Sequence, residues 1–464
     1  MLFTTHAFLL GFLPITLTGF WLLPSTRLRL GFLALASYVF YGWWNWRYLP
    51  LMLASTTTDY AAALLLSRST DAQRRKALLV CAISLNLTLL GIFKYAGFLL
   101  SSANGIGSLL GESDALPALS LVLPVGISFY TFNSISYTID VYRGEIEAEA
   151  NLLRYATFVA LFPHLVAGPI VRYSAIRAQL ERLAPRLTSE LAASGLFFLA
   201  CGLVKKLVLA DTLAPTVDRL FAAHAHLGLA SAWIAAIGYA LQLYFDFSGY
   251  SDMAVGLALM LGIRFPRNFD SPYQATSIAD FWRRWHISLS TFLRDYLFIP
   301  LGGSRAAPLV VARNLAIVML LGGLWHGAAW TYVVWGGAHG AMLAGHALLR
   351  GRGWTPRSQP LNRALTFIAV AAAFVIFRSP SLGDAADVLS AMLGTNGLEA
   401  SVRLEALAWP ALLIAGLLAF VNLAPNSWDV QLRPTARSGL AVGIAIAAAV
   451  LAISGPSPFL YYQF

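Results

Sequence analysis

Long apolar stretches, separated by short polar segments, follow one another along almost the whole chain. A helix needs about 20 apolar residues to cross the hydrocarbon core of a bilayer. Stretches of about this length cover residues 7–23, 28–44, 48–66, 77–100, 119–139, 192–210, 230–262, 309–333, 334–349, 361–377, 406–423 and 438–455. Another, 155–170, is interrupted by Pro163, Gly168 and Pro169, which indicates a re-entrant segment or an irregular span. The pattern predicts an all-α polytopic membrane protein with about eleven to thirteen transmembrane helices.

The composition supports this class and excludes others. Of 464 residues, 58% are hydrophobic and only 12% are charged, whereas an ordinary soluble domain carries about 25% charge. So few charges do not cover the surface of a soluble globule, and the apolar content excludes a disordered chain. The net charge is +10, which indicates contact with anionic membrane lipids rather than with nucleic acid.

The distribution of basic residues predicts the orientation in the membrane. The segment 67–76 carries four basic residues, whereas the short segment before the preceding span carries only Arg47. The positive-inside rule therefore places 67–76 in the cytoplasm and the N-terminus outside. The basic segment 350–363 and the acidic segment 378–405 likewise place the C-terminus outside. No basic residue precedes the first apolar run, so the N-terminus is not expected to be a cleavable signal.

Two acids, Asp246 and Asp252, interrupt an aromatic-rich apolar run at residues 243–252. Ionisable residues at membrane depth are costly and often functional. A spacing of six places the two side chains about 240° apart on a helix, so they do not form a carboxylate pair. Each is expected to satisfy a buried arginine or a backbone group, and direct catalysis is the alternative.

A second polar segment, residues 280–290, combines acid, arginine, tryptophan and histidine. It is too polar for a lipid-facing span and too aromatic for a free loop, which favours an interfacial or re-entrant helix. Two interpretations remain. The segment is either a surface helix whose arginines bind lipid phosphates, or the wall of a pocket whose arginines bind an anionic, nucleotide-like ligand.

A third segment, residues 321–330, places His326 in an apolar span bracketed by glycines. Glycines permit close helix approach or a local break around the imidazole. A lone histidine in a span either forms a structural hydrogen bond to a neighbouring helix or takes part in catalysis. His339 and His346 follow, but neither has a comparable setting.

Together with shorter motifs elsewhere, these segments resemble the membrane-bound O-acyltransferase family, in its bacterial branch of alginate O-acetylases and related polysaccharide acetylases. The matching words run in order over some 200 residues. They are Val125–Phe132, Ser136-Tyr137, Asp140–Arg143, Leu165–Arg172 and Gly202–Lys206, followed by the three polar segments. Phe40–Trp43, nearer the N-terminus, also fits. His164 stands where this branch is expected to have glutamine.

The resemblance implies a single integral-membrane domain, 1–464, built as a helix bundle with re-entrant segments around a central funnel. Its parts would be N-terminal spans (1–118), a catalytic core (119–350) and C-terminal spans with an aromatic tail (351–464). It further implies a bacterial inner-membrane enzyme that takes acetyl from acetyl-CoA on the cytoplasmic side. No metal is expected.

The resemblance also assigns roles to residues. His326 matches the family histidine and is the expected general base, because imidazole accepts protons near neutral pH. His286 matches a second polar position and is expected to orient the donor or stabilise developing charge on the thioester oxygen. The expected contacts to acetyl-CoA are Trp282, Arg283, Arg284 and Trp285.

The acceptor is expected to be an extracytoplasmic polysaccharide such as alginate, reached through a separate periplasmic SGNH-type acetyltransferase with a Ser-His-Asp site. The chain ends in a Phe-x-Tyr-x-x-Phe pattern, residues 459–464. This tail is either an aromatic belt at the interface or, by resemblance, a carrier in which Tyr461 receives the acetyl group. Two further alternatives are a transporter of the donor or of a polysaccharide precursor, and acylation of a protein or lipid.

Overall fold

The computed structural model describes residues 1–111, 116–117, 119, 121–353, 358–398, 404–453, 455, 457 and 459–460. This part of the chain is largely α-helical and holds no β-strand. Its helices are α1 Leu13–Leu22, α2 Thr26–Asn45, α3 Leu49–Arg68, α4 Ala72–Leu90, α5 Ala96–Leu109, α6 Ile127–Arg143, α7 Leu152–Ala160, α8 Phe162–Leu165, α9 Tyr173–Glu181, α10 Ser189–Leu203, α11 Asp211–Ala222, α12 Leu229–Met260, α13 Ile278–Arg284, α14 Ile287–Leu293, α15 Pro308–His326, α16 Trp330–Gly351, α17 Gln359–Arg378, α18 Leu382–Met392, α19 Leu404–Leu423 and α20 Ala436–Leu451. Wider π-helical turns occupy Ala7–Phe12, Gly91–Tyr95, Val204–Ala210 and Arg294–Phe298.

Five helical segments in the described residues are long and apolar enough to cross a membrane. They are Thr26–Arg68, Ala72–Leu109, Ser189–Ala222, Pro308–His326 and Gln359–Arg378. These segments confirm the prediction of an all-α polytopic membrane protein. The count of eleven to thirteen crossings, the central funnel and the subdivision at residues 118 and 350 stay predictions.

Two predicted boundaries are wrong, and glycines explain both. The apolar stretch 119–139 becomes helical only at Ile127, because Gly126 has φ +75° and lies so close to Leu165 that a Cβ would meet its carbonyl oxygen at 2.6 Å. The break expected between residues 333 and 334 lies instead at 327–329, because α15 ends at His326 and Gly327 is extended. The irregularity expected within 155–170 is present, as the chain turns between α7 and α8.

The described residues form two compact units. The first comprises residues 1–199, 253–266 and 433–439. Within it, the buried guanidinium of Arg29 donates hydrogen bonds to three backbone carbonyls, those of Leu23, Ala184 and Pro185. A charge buried in this way is tolerated because its donors are satisfied.

The same unit contains a second polar centre on the segment between α6 and α7. Burial alone would raise the pKa of Glu149, but hydrogen bonds from Tyr173, Arg154 and the backbone of Asn151 hold it below its usual value. His164, the departure from the expected glutamine, is fully buried. Its ring nitrogens face the side chain of Asn133 and the carbonyl of Phe158, at 3.3 and 3.1 Å. These contacts give His164 a structural role.

The second unit comprises residues 200–252, 267–432 and 440–464. Its core is an aromatic and aliphatic cluster to which α11, α12, α13, α16, α17, α18 and α19 contribute. Helices α15 and α16 form a tight antiparallel pair within this unit. All three polar segments singled out in the sequence lie in it, so the remaining description concerns this unit.

Candidate active site

His326 is the last residue of α15 and is almost completely buried. Three aromatic rings meet the imidazole nearly edge-on, with centroids at 5.0 Å for Trp325, 5.1 Å for Trp335 and 5.5 Å for Phe377. The helix stops there because the following residue, Gly327, is packed against the ring of Tyr332, where a Cβ would meet ring carbons at about 2 Å. The imidazole is therefore held in one orientation inside an aromatic enclosure.

His286 lies at the break between α13 and α14 and has a positive φ of 43°. Residues with side chains rarely adopt this left-handed conformation, and strain of this kind often marks a functional position. The ring is completely buried and meets Phe247 edge-on at 4.7 Å. Its Nδ1 faces the amide oxygen of Asn268 at 3.2 Å, so Nδ1 carries the proton and Nε2 is the acceptor nitrogen.

Asn268 is a positioning residue that the sequence analysis missed. Its amide oxygen also accepts hydrogen bonds from the backbone N–H and the hydroxyl of Ser288, and its amide group donates to the hydroxyl of Ser251. Its backbone carbonyl accepts from the N–H of Ile287. Asn268 thus fixes both the start of α14 and the tautomer of His286. No local pattern marks a single asparagine for this role.

Trp325 borders both histidines. Its ring centroid lies 5.0 Å from that of His326 and 6.0 Å from that of His286. The two histidines are 40 residues apart in the sequence, on different helices, and meet at this one tryptophan. The sequence analysis named both, and the structure brings them together.

His339, which no sequence pattern singled out, belongs to the same cluster. It is completely buried on α16, its Nδ1 accepts a hydrogen bond from Trp282 Nε1 at 3.3 Å, and its ring lies 4.8 Å from that of Trp335. The proton of His339 is therefore on Nε2. In the described part of the chain, neither this Nε2 nor Trp335 Nε1 has a hydrogen-bond partner.

Two buried N–H donors thus have no partner in the described part of the chain; they belong to rings 4.8 Å apart, and one of these rings, that of Trp335, contacts His326. Buried polar groups are normally hydrogen-bonded, and leaving one unsatisfied costs about 1–3 kcal/mol. A ligand with a carbonyl oxygen would satisfy them. Both donors lie on α16, and glycines at its contact with α15 bring Trp335 close to His326.

A cavity of about 440 Å³ opens beside this cluster, bordered by residues of α13, α14, α15 and α16. Trp282, Arg283 and Arg294 line it, together with mainly apolar side chains. Arg283 is exposed and makes no ion pair with any described residue. Arg294 forms an ion pair with Asp295. The cavity thus combines two guanidinium groups with an apolar wall. Trp282 also lines it and is hydrogen-bonded to His339.

The other two residues expected at the donor site lie elsewhere. Arg284 forms an ion pair with Asp280 at 3.0 Å and approaches Asp270. Trp285 is buried in the core, where its ring stacks on that of Phe281 at 5.5 Å. Neither lines the cavity, so within the segment 280–290 only part of the expected set, Trp282 and Arg283, borders it.

The acids of α12 pair with lysines rather than with arginines. Asp246 forms an ion pair with Lys206, and Asp252 forms one with Lys205, each at 2.6 Å. Asp246 also accepts a hydrogen bond from the backbone N–H of Leu460 at 3.0 Å. Tyr461 itself lies outside the described residues.

The site combines an enclosed imidazole, a second oriented imidazole that shares Trp325 with it, two unpartnered N–H donors and a cationic cavity. Together these groups can support acyl transfer to a hydroxyl. A hydroxyl needs a base to take its proton as it attacks, and the developing oxyanion needs N–H donors. An anionic donor molecule needs guanidinium groups at a distance from the reacting carbon. The cluster contains a group suited to each requirement.

Comparison with known proteins agrees with this chemistry. Residues 145–378 match the membrane-bound O-acyltransferase family. The whole chain aligns with the whole of a probable alginate O-acetylase from Pseudomonas putida at 42% identity, and 91% of it aligns with 84% of one from Azotobacter vinelandii at 43%. A peptidoglycan O-acetyltransferase from Helicobacter pylori is 39% identical over 86% of this chain and 81% of its own length. The chain is thus a multi-pass acyltransferase that belongs to the membrane-bound O-acyltransferase family.

Proposed function

We propose that this acyltransferase moves acetyl groups from acetyl-CoA, bound from the cytoplasmic side, towards an extracytoplasmic polysaccharide such as alginate. The observation that carries the proposal is the meeting of His326 and His286 at Trp325, next to a cavity lined by arginines. The alginate and peptidoglycan O-acetylation named for the relatives supports a polysaccharide acceptor. The bacterial inner membrane and periplasmic termini belong to the same proposal.

The donor is proposed to lie with its phosphates at Arg283 and Arg294 and its thioester near His326. The cavity suits this placement because Arg283, Arg294 and Trp282 all line it. Trp282 connects to His339 and through it to Trp335, whose unpartnered N–H groups suit the carbonyl oxygen of the thioester. Donors aimed at that oxygen would stabilise the negative charge that develops during attack.

The reaction is proposed to run in two transfers. His326 takes the proton of the attacking phenol of Tyr461, whose oxygen forms a bond to the thioester carbonyl carbon. The carbon–sulfur bond breaks, and the CoA thiolate leaves and takes the proton from His326. A phenol ester is more labile than an alkyl ester, so the serine of a periplasmic SGNH-type partner can then accept the acetyl group and pass it to the polymer.

Turnover of acetyl-CoA by purified protein tests the first transfer. His326→Ala should lower the release of free CoA by about 10²–10⁴-fold, the usual contribution of a general base, while insertion and folding stay normal. His6→Ala, at an exposed histidine, serves as the control and should keep its activity. A well-folded His326→Ala protein that releases CoA at the normal rate would exclude this role.

The second transfer is tested at the tail. Tyr461→Phe keeps the aromatic ring but removes the nucleophile, so the protein should insert normally and lose polymer acetylation. Tyr462→Phe, one residue on, is the matched control and should be tolerated. Full polymer acetylation by Tyr461→Phe would leave the tail as an interfacial anchor, with transfer made directly to the partner or the polymer.

A further inference from the structure

Two adjacent lysines each reach a different acid on α12. Lys205 binds Asp252 and Lys206 binds Asp246, and both Nζ–Oδ distances are 2.6 Å. Gly249 lies between the acids and permits this approach, since a Cβ there would meet the carbonyl oxygen of Gly202 at 2.9 Å. The six-residue spacing of the acids places them on different faces of the helix, so each pair borders a different neighbour.

The two pairs hold two different later segments of the chain. The Asp252 carboxylate accepts a hydrogen bond from the hydroxyl of Ser427, in the segment after α19. The Asp246 carboxylate uses Oδ1 for Lys206 and Oδ2 for the backbone N–H of Leu460, 214 residues away. The second pair therefore binds the C-terminal tail by its main chain.

The residue before Leu460 strengthens this attachment. Phe459 is buried, with the ammonium of Lys206 5.1 Å from its ring centroid and the ring of Tyr250 meeting it edge-on at 4.4 Å. A cation over an aromatic face is attractive, and more so when water is excluded. A charged acceptor also makes the hydrogen bond from Leu460 stronger than one to a neutral group.

We propose that the Lys206–Asp246 pair is a latch for the C-terminal tail, and that it holds the tail in the position from which Tyr461 receives the acetyl group. The positioning of Tyr461 rests on the proposed function, because Tyr461 directly follows the latched residue. The attachment of the tail to Lys206–Asp246 does not depend on that function. Lys206 and Asp246 are positioning residues in this view and do not touch the reacting atoms.

The latch can be tested by tail accessibility. In a chain whose two cysteines, Cys81 and Cys201, are replaced by serine, Gln463→Cys provides one thiol for maleimide labelling of the purified protein in detergent. Lys206→Met with Asp246→Leu removes both charges of the buried pair together. Asp211, which also contacts Lys206 at 2.9 Å, loses its partner but is 25% exposed, so water can solvate it. Loss of the charged acceptor should raise the labelling rate by about tenfold.

The neighbouring pair supplies a matched control. Lys205→Met with Asp252→Leu removes the same chemistry from the same helix but leaves the tail contacts in place, so the labelling rate should not change. Phe459→Ala is a second test variant, because it alters only the tail and leaves both ion pairs intact, and it should raise the rate as well. Equal labelling of the latch variants and the control pair would overturn the latch.

Measurements of polymer acetylation then test whether attachment of the tail matters for acetyl transfer. The latch variants should lose most polymer acetylation, by about tenfold, while the KM for acetyl-CoA stays unchanged, which general misfolding would not produce. Faster labelling with undiminished polymer acetylation would overturn the positioning role, while the latch itself would stand; transfer to Tyr461 is tested independently by Tyr461→Phe.

Discussion

Arg283 and Arg284 are neighbours in the sequence with different surroundings in the fold. Arg284 is engaged with Asp280, one turn earlier on α13, whereas Arg283 lines the cavity and has no ion-pair partner among the described residues. A guanidinium beside an apolar cavity is available for a phosphate, and one already paired with a carboxylate is not. The two arginines should therefore differ in their effect on the donor.

Arg283→Ala is expected to raise the KM for acetyl-CoA by about tenfold, with a smaller change in kcat, because one charge-assisted hydrogen bond far from the reacting carbon is lost. Steady-state kinetics of CoA release measures both constants. Arg284→Ala is the control, since it breaks an ion pair on the same helix and should leave KM nearly unchanged. Equal increases in KM would show that the segment contacts the donor only indirectly.

Among the helices, the close backbone contact between α15 and α16 sets the spacing of two site residues, one on each helix. A Cβ on Gly323 would meet the carbonyl oxygen of Tyr332 at 2.3 Å, and one on Gly336 would meet that of Met319 at the same distance. The helices thus touch through their backbones, as small residues permit in membrane proteins. His326 and Trp335 project from these two helices, so their spacing depends on this contact.

Gly336→Ala is expected to push α16 away from α15 and separate Trp335 from His326, because the carbonyl of Met319 leaves no room for a methyl group. Overpacking of this kind costs about 1–3 kcal/mol of stability, which a thermal unfolding experiment on the purified protein detects, and CoA release should fall with it. Gly337→Ala is the neighbouring control, because its Cβ would meet only Leu320 at 3.5 Å, an ordinary contact. Unchanged melting and activity in Gly336→Ala would contradict the tight packing.

At the scale of the whole molecule, the distribution of charge predicts which segments face which compartment. The proposed donor, acetyl-CoA, is cytoplasmic and the proposed acceptor is extracytoplasmic, so the proposed function requires different segments on the two sides. The basic segment 67–76 is predicted to face the cytoplasm, and the acidic segment 378–405 is predicted to face the outside.

Thr70→Cys and Thr395→Cys, each in a chain without its native cysteines, test this orientation. Both positions are exposed. A membrane-impermeant maleimide added to spheroplasts should label the cysteine at 395 at once and that at 70 only after permeabilisation, because the positive-inside rule keeps the basic segment in the cytoplasm. The reverse pattern would invert the predicted topology and move both termini to the cytoplasm.

Local sequence patterns were enough to predict the class of the protein and the segments proposed to carry its chemistry. Hydropathy is a local property, so the apolar runs alone predicted an all-α membrane protein, and the part of the chain that the structure describes contains five helical segments that qualify as spans. The sequence motifs are also local, so they predicted His326 and His286 as site residues and indicated the family, which the family match confirms.

Tertiary structure decided which residues surround those histidines and where the tail is held. Asn268 lies 18 residues from His286, Trp282 lies 57 residues from His339, and Leu460 lies 214 residues from Asp246. Hydrophobic periodicity in the sequence does not predict such pairs, because they arise from helix packing rather than from spacing along the chain. The break at Gly327 was misplaced for the same reason, since the ring of Tyr332 that packs against this glycine belongs to the next helix.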